Sequence, residues 1–218
     1  MTSLLHFISA GGWVMYPLLL LSLVAIGVII ERFLAYRTIA DDSPGLLGQV
    51  ITKCGQRDFE GALALCQARP GPVAACLATV LIHREQPVED IERNVQEVGE
   101  GYFIRLERFL PILDTTTTIS PLLGLLGTLF GMIGTFQAIA ASKNQGSRDT
   151  ILSGVGEALY ATATGLTVAI ICFIAYNYFS SRQRMVTIET EQSATKLIND
   201  LRAREVIQYE VREKAGVA

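Results

Sequence analysis

The 218-residue chain has no excess of basic charge, with 18 Lys and Arg against 21 Asp and Glu and a formal net charge of -3. A protein that neutralises a phosphate backbone needs a cationic surface, so nucleic-acid binding is not expected. The four cysteines, Cys54, Cys66, Cys76 and Cys172, form no CxxC pair and have no histidine beside them. That pattern excludes a zinc centre and thioredoxin-like chemistry and leaves small, reduced hydrophobes. No HExxH, P-loop or GxSxG motif occurs, and His6 and His83 fall outside the apolar cores described below. Neither an enzyme nor a metal or cofactor site is therefore expected. Charge itself is scarce: 18% of residues are charged and 50% hydrophobic, with mean hydropathy +0.37. A soluble domain is rarely so apolar, and the balance points to a membrane.

Three long stretches carry no charge at all. Residues 1–30 contain no Asp, Glu, Lys or Arg, and Trp13 to Ile30 is the apolar core of that run. A second stretch runs from Thr115 to Ser142 and a third from Ala158 to Ser181. Each is long enough for a helix of about 20 residues to cross a bilayer core. The segment before the first run has no basic residue and no cleavage-like site follows it, so a retained anchor is expected rather than a signal peptide. The reading is an all-α membrane protein with three transmembrane helices and long cytoplasmic helical extensions.

Lys and Arg next to the spans set the orientation. Arg32 and Arg37 follow the first span, Arg105 and Arg108 precede the second, and Arg182 and Arg184 follow the third. The expected layout is a short extracytoplasmic N-terminus at 1–12, a first span at 13–30, and a cytoplasmic helical domain at 31–114. A second span at 115–142, a short periplasmic loop at 143–153, a third span at 154–178 and a cytoplasmic helix at 179–218 complete it. Between Asp41 and Pro72, turn residues alternate with short apolar runs, which predicts small amphipathic helices. From Pro87 the pattern lengthens into one long helix leading to the second span, with Gly99, Gly101 and Pro111 as points where it can bend.

Within the spans, Gly124, Gly127, Gly131 and Gly134 recur every three or four residues, a spacing that makes a groove for close helix packing in lipid. Thr128 and Thr135 border that groove. In the third span, Gly154, Ala158, Thr162, Gly165 and Ala169 form a strip of small residues beside a face that holds Glu157, Ala161, Thr164 and Val168. Glu157 is the sole ionisable residue in any span core, and a carboxylate there is functional by default. Thr162 lies five residues, about 7.5 Å, inward from Glu157. Thr128 and Thr162 both fall near the bilayer midplane. One carboxylate makes no proton relay alone, so a second titratable group on a partner helix is needed.

The run ISPLLGLLGTLFGMIGTF (Ile119 to Phe136), followed by GEALYATATGLTVAIICFIAYN (Gly156 to Asn177), resembles the MotA/TolQ/ExbB proton-channel family, and its ExbB-like members in particular. The ERFLAYR run after the first span and the three-span layout agree. The resemblance implies a bacterial inner-membrane subunit that assembles as a homo-oligomer, a pentamer, around a dimeric single-span ExbD-like or TolR-like partner that brings the proton-carrying Asp. It further implies that proton-motive force drives motion passed to a cell-envelope protein of the TonB or TolA kind. By motif position it places Glu157, Thr162, Thr128 and Thr164 on the proton pathway and Gly124, Gly127, Gly131, Gly134 and Gly165 in helix packing. Tyr160 stands where smaller aliphatic residues are common in the family, and the cytoplasmic loop is short for a flagellar stator. TolQ-like and gliding-type subunits share the motifs. A passive membrane scaffold is the rival reading, and it predicts that Glu157 is replaceable.

Overall fold

The computed structural model describes residues 12–40, 45–141 and 148–215. Among them the chain is helical apart from turns. The helices are α1 (Met15–Ala40), α2 (Leu46–Gly55), α3 (Phe59–Gln67), α4 (Pro72–Ile82), α5 (Val88–Glu107), α6 (Leu110–Ala141) and α7 (Arg148–Ala215). The expectation of an all-α membrane protein holds. Three stretches of described helix are long and apolar enough to cross a membrane: Met15–Arg37, Val88–Ala140 and Gly154–Arg204. The N-terminal segment 1–11 and the loop residues 142–147 of the expected layout lie outside the described residues. The chain divides into two compact units, Met1–Arg32 with Phe109–Phe179 and Phe33–Arg108 with Ser180–Ala218.

The long helix expected from Pro87 onward runs from Val88 to Ala140 with one break. A turn at Arg108 and Phe109 separates α5 from α6. The cause is Pro111, which has no N–H to offer the Glu107 carbonyl and whose ring crowds that carbonyl. Gly99 and Gly101, by contrast, sit inside α5 without ending it. Pro121 lies within α6, which continues through it to Ala141.

In the first unit, the apolar windows of the three stretches are only 17 to 33% buried. Leu20, Leu23, Leu122, Leu125, Phe136, Leu159, Ile170 and Ile174 are all exposed. So large an apolar surface has no stable place in water and suits lipid or neighbouring helices. A few side-chain contacts tie the unit together. Val14, Met15 and Leu18 cluster against Leu123, Trp13 meets Phe130 edge to face at 5.2 Å between ring centroids, and Arg32, 4% exposed, places its guanidinium 5.1 Å from the centre of the Phe109 ring. A cation over an aromatic face stands in for part of the hydration that burial removes.

The second unit has an ordinary hydrophobic core. Leu46, Val50 and Cys54 recur every four residues along α2, which puts them on one face. They join Ala62 and Cys66 of α3, Val73, Leu77 and Val80 of α4, Ile91 of α5, and Ala194, Leu197 and Ile198 of α7 in one cluster. The turns are specified locally. Gly71 takes φ 147°, a conformation that L side chains rarely adopt, just before Pro72 opens α4. Asp58 caps α3 by accepting a hydrogen bond from the Gly61 N–H at 2.9 Å and is paired with Lys53 Nζ at 2.5 Å. The Lys53 bond, with the Gly61 N–H second, holds the Asp58 carboxyl below its usual range. Burial has the opposite effect on the core thiols: Cys66 and Cys76 are each pushed up to about 11.

Candidate functional site

The sequence-predicted site residues fall on α6 and α7 within the first unit, and the contact between these helices is built from residues with little or no side chain. A β-carbon placed on Gly124 would stand 3.0 Å from the Thr162 Cα and 3.1 Å from the Ala161 carbonyl oxygen. On Gly127 it would meet Ala161 Cβ at 2.6 Å, and on Gly131 the Gly154 carbonyl oxygen at 3.1 Å. From the other side, a β-carbon on Gly165 would approach the Ser120 carbonyl oxygen to 2.5 Å and Gly124 Cα to 3.2 Å. The two backbones therefore touch, the arrangement that small-residue repeats permit in lipid. Gly134 differs: among the described residues nothing lies within 4 Å of its added β-carbon.

Thr162 joins the two helices. Its hydroxyl donates to the Gly124 carbonyl on α6 at 3.2 Å and to the Ala158 carbonyl one turn back on α7 at 3.3 Å. Thr128 and Thr164 bond only to their own helices in the described contacts, to Leu125 at 2.7 Å and to Tyr160 at 2.8 Å. That is how a threonine in a span usually satisfies its hydroxyl. Thr135, 6% exposed, bonds back to the Gly131 carbonyl at 2.8 Å beside Gly154. Glu157 lies on α7 between Gly154 and Ala161, and its side chain is outside the described residues. Thr162 and the glycines Gly124, Gly127, Gly131 and Gly165 are thus brought together at one seam, whereas Thr128 and Thr164 make no described hydrogen bond across it.

Two features of the seam escaped sequence reasoning. Ser120 is fully buried, and its hydroxyl has no hydrogen-bond partner among the described residues. Its position four residues before Gly124 was the available signal, since it continues the small-residue stripe toward Thr116, itself 2% exposed. Val14 was the other. It reaches Gly127 from α1, 3.6 Å from where a β-carbon would sit, and its place in a uniformly apolar run gave no hint of that contact. Among the described residues no group of three or more His, Cys, Asp or Glu is placed to hold a metal ion.

Three apolar helical stretches of spanning length and a glycine seam with a threonine tie define a polytopic helical membrane protein. Residues 69–192, more than half of the chain, match the model of the MotA/TolQ/ExbB proton channel family. The chain is 32% identical over 174 residues to biopolymer transport protein ExbB-like 3 of Synechocystis, an alignment covering 79% of this chain and 82% of that one. It is 37% identical over 110 residues to the Tol-Pal system protein TolQ of Pseudomonas aeruginosa, covering 47% of each. A third relative, the biopolymer transport protein exbB1 of Vibrio cholerae, is 25% identical over 166 residues, covering 73% of this chain and 71% of that one. The chain belongs to the MotA/TolQ/ExbB proton channel family.

Proposed function

We propose that this chain is the ring-forming subunit of a proton-driven motor in the bacterial inner membrane, energising a cell-envelope process such as TonB-dependent import. In this reading the N-terminus is periplasmic, residues 31–114 and 179–218 are cytoplasmic, and five copies surround a dimer of a single-span ExbD-like or TolR-like partner. Glu157 and the partner's intramembrane carboxylate exchange protons along a path lined by Thr128, Thr162 and Thr164. One charge moving through 100 mV releases about 2.3 kcal/mol, so several protons contribute to each working step. The observation that carries the proposal is the placement of Glu157 on α7 at the start of an otherwise uncharged run, within three residues of the glycine seam. A bilayer charges several kcal/mol for such a carboxylate unless it has work to do. Similarity to a Tol-Pal system protein favours, as a second reading, a TolA-like client in place of a TonB-like one.

The test is proton uptake by proteoliposomes holding this chain and an ExbD-like or TolR-like single-span partner, with native mass spectrometry of the same preparation. Five copies with two partner chains, and uptake abolished by Glu157→Gln with the assembly intact, is the expected result. Uptake unchanged in Glu157→Gln would sink the motor reading in favour of the scaffold.

A further inference from the structure

The second unit contains a cavity of about 370 Å³ between α5, α7 and the side of α4. This is within the range of small-ligand pockets, about 300–1,000 Å³. Its floor is apolar. Cys76, Val95, Ala194 and Ile198 supply it, and Gly99 keeps it open: a β-carbon there would stand 3.3 Å from the Phe103 ring and 3.6 Å from the Cys76 sulfur. Its walls bear three carboxylates, Glu92 and Glu100 from α5 and Glu191 from α7, and no basic side chain lines it. All three glutamates are exposed to solvent.

The spacing of these charges decides what they suit. Glu92 and Glu100 are eight residues apart, about 12 Å along the helix, and Glu191 stands on a different element. The three do not converge as metal ligands do. Cys76 adds no ligand either. Its thiol donates to the Val95 carbonyl at 3.7 Å and stays protonated far above neutrality, because burial raises its pKa. A compact dication would satisfy one carboxylate and leave the apolar floor uncovered. An extended cation with methylene segments between its charges meets both demands, since the methylenes cover the floor while each nitrogen reaches a carboxylate. Gln96 donates to Glu100 at 2.8 Å and orients that carboxylate. We propose that the α5–α7 cavity binds a linear aliphatic polyamine of the spermidine type. This stands independently of the proton-channel reading, because no residue of the α6–α7 seam takes part.

The experiment is calorimetric titration of the full-length chain in lipid nanodiscs with spermidine, and separately with Mg²⁺. Saturable one-site spermidine binding is expected, weakened at least tenfold by Glu191→Gln, weakened similarly by Glu92→Gln and lost in Ala194→Leu, which fills the floor. Added salt lowers the affinity, and millimolar Mg²⁺ does not displace the polyamine at matched ionic strength. Absence of saturable spermidine binding overturns the proposal, as does wild-type affinity in both Glu→Gln variants or full displacement by Mg²⁺. The Glu→Gln changes lie at exposed positions and preserve the fold, so they decide the matter even where Ala194→Leu fails to fold. A lysine-rich peptide that binds the wild-type chain where spermidine does not would also overturn it, assigning the groove to a protein partner.

Discussion

The Thr162 hydroxyl has two acceptors at nearly equal distance, the Gly124 carbonyl at 3.2 Å on the neighbouring helix and the Ala158 carbonyl at 3.3 Å on its own. Losing the first leaves the second, so the tie between α6 and α7 is released without stranding a hydroxyl in the membrane. Interhelical hydrogen bonds in bilayers contribute about 0.6 kcal/mol on average. Thr162→Ala is therefore expected to lower stability by less than about 1 kcal/mol while abolishing proton uptake, and Thr162→Ser to retain both. Thermal unfolding in detergent beside proteoliposome uptake separates the two effects. A Thr162→Ala protein that takes up protons normally would remove the residue from the pathway.

Of the seam glycines, Gly165 has the closest backbone obstacle, with the Ser120 carbonyl oxygen 2.5 Å from its virtual β-carbon. The obstacle is backbone, which cannot swing aside. Gly165→Ala is expected to cost about 1–3 kcal/mol by overpacking, and Gly131→Leu to break up the assembly. Gly134→Ala, with open space around it, should change stability by no more than about 0.5 kcal/mol. Melting temperatures of the three variants against wild type give the order directly, and a Gly134→Ala defect as large as that of Gly165→Ala would refute it within one chain.

Cys66 and Cys76 ionise near 11 in the fold against an ordinary value of 9.0. Below about pH 9 both states hold the thiols protonated and the stabilisation is complete. Between about 9 and 11 the unfolded chain releases these protons and the folded chain does not, so stability falls as pH rises through that window. Chemical unfolding at pH 8 and pH 10.5 should show the loss, and Cys66→Ala with Cys76→Ala should flatten the pH dependence. Maleimide labelling of both thiols at pH 7.5 is expected to be slow in the native protein and fast in denaturant.

Much of this was legible in the sequence, and the reasons differ from part to part. The spans were, because their lack of charge follows from the cost of burying charge in lipid, a rule that needs no partner to be known. The seam was half legible: a repeat of Gly124, Gly127 and Gly131 on one helix and of Ala158 and Gly165 on another says that each packs closely, but not that they pack on each other. Sequence periodicity did not reveal the choice Thr162 makes between two carbonyls, since that depends on a few tenths of an ångström of helix separation. It marked Pro111 as a point of bending but not the turn at Arg108 and Phe109, because a proline near a helix start and a proline that bends a continuing helix look alike until the neighbouring turn is seen. Pro121, borne within α6, is the counterexample.

Ser120 carries a hydroxyl with no acceptor among the described residues, at a position with no solvent exposure. A buried polar group left unpaired costs about 1–3 kcal/mol. Ser120→Ala is accordingly expected to leave the melting temperature unchanged or to raise it. A clear destabilisation would mean that the hydroxyl is bonded in the assembled protein, to a water or to a group of another chain.

The meeting of α6 and α7 through glycine and alanine has a mechanical side. Leucines and isoleucines interlock as knobs in holes, and moving one such helix past another forces each side chain out of its notch. Gly124, Gly131, Ala158 and Gly165 present surfaces of low relief, with no rotamer to change. Resistance to sliding or rolling along this contact comes from the touching backbones and from one hydroxyl that already has a second place to bond. A subunit built this way is a smooth bearing with a light detent.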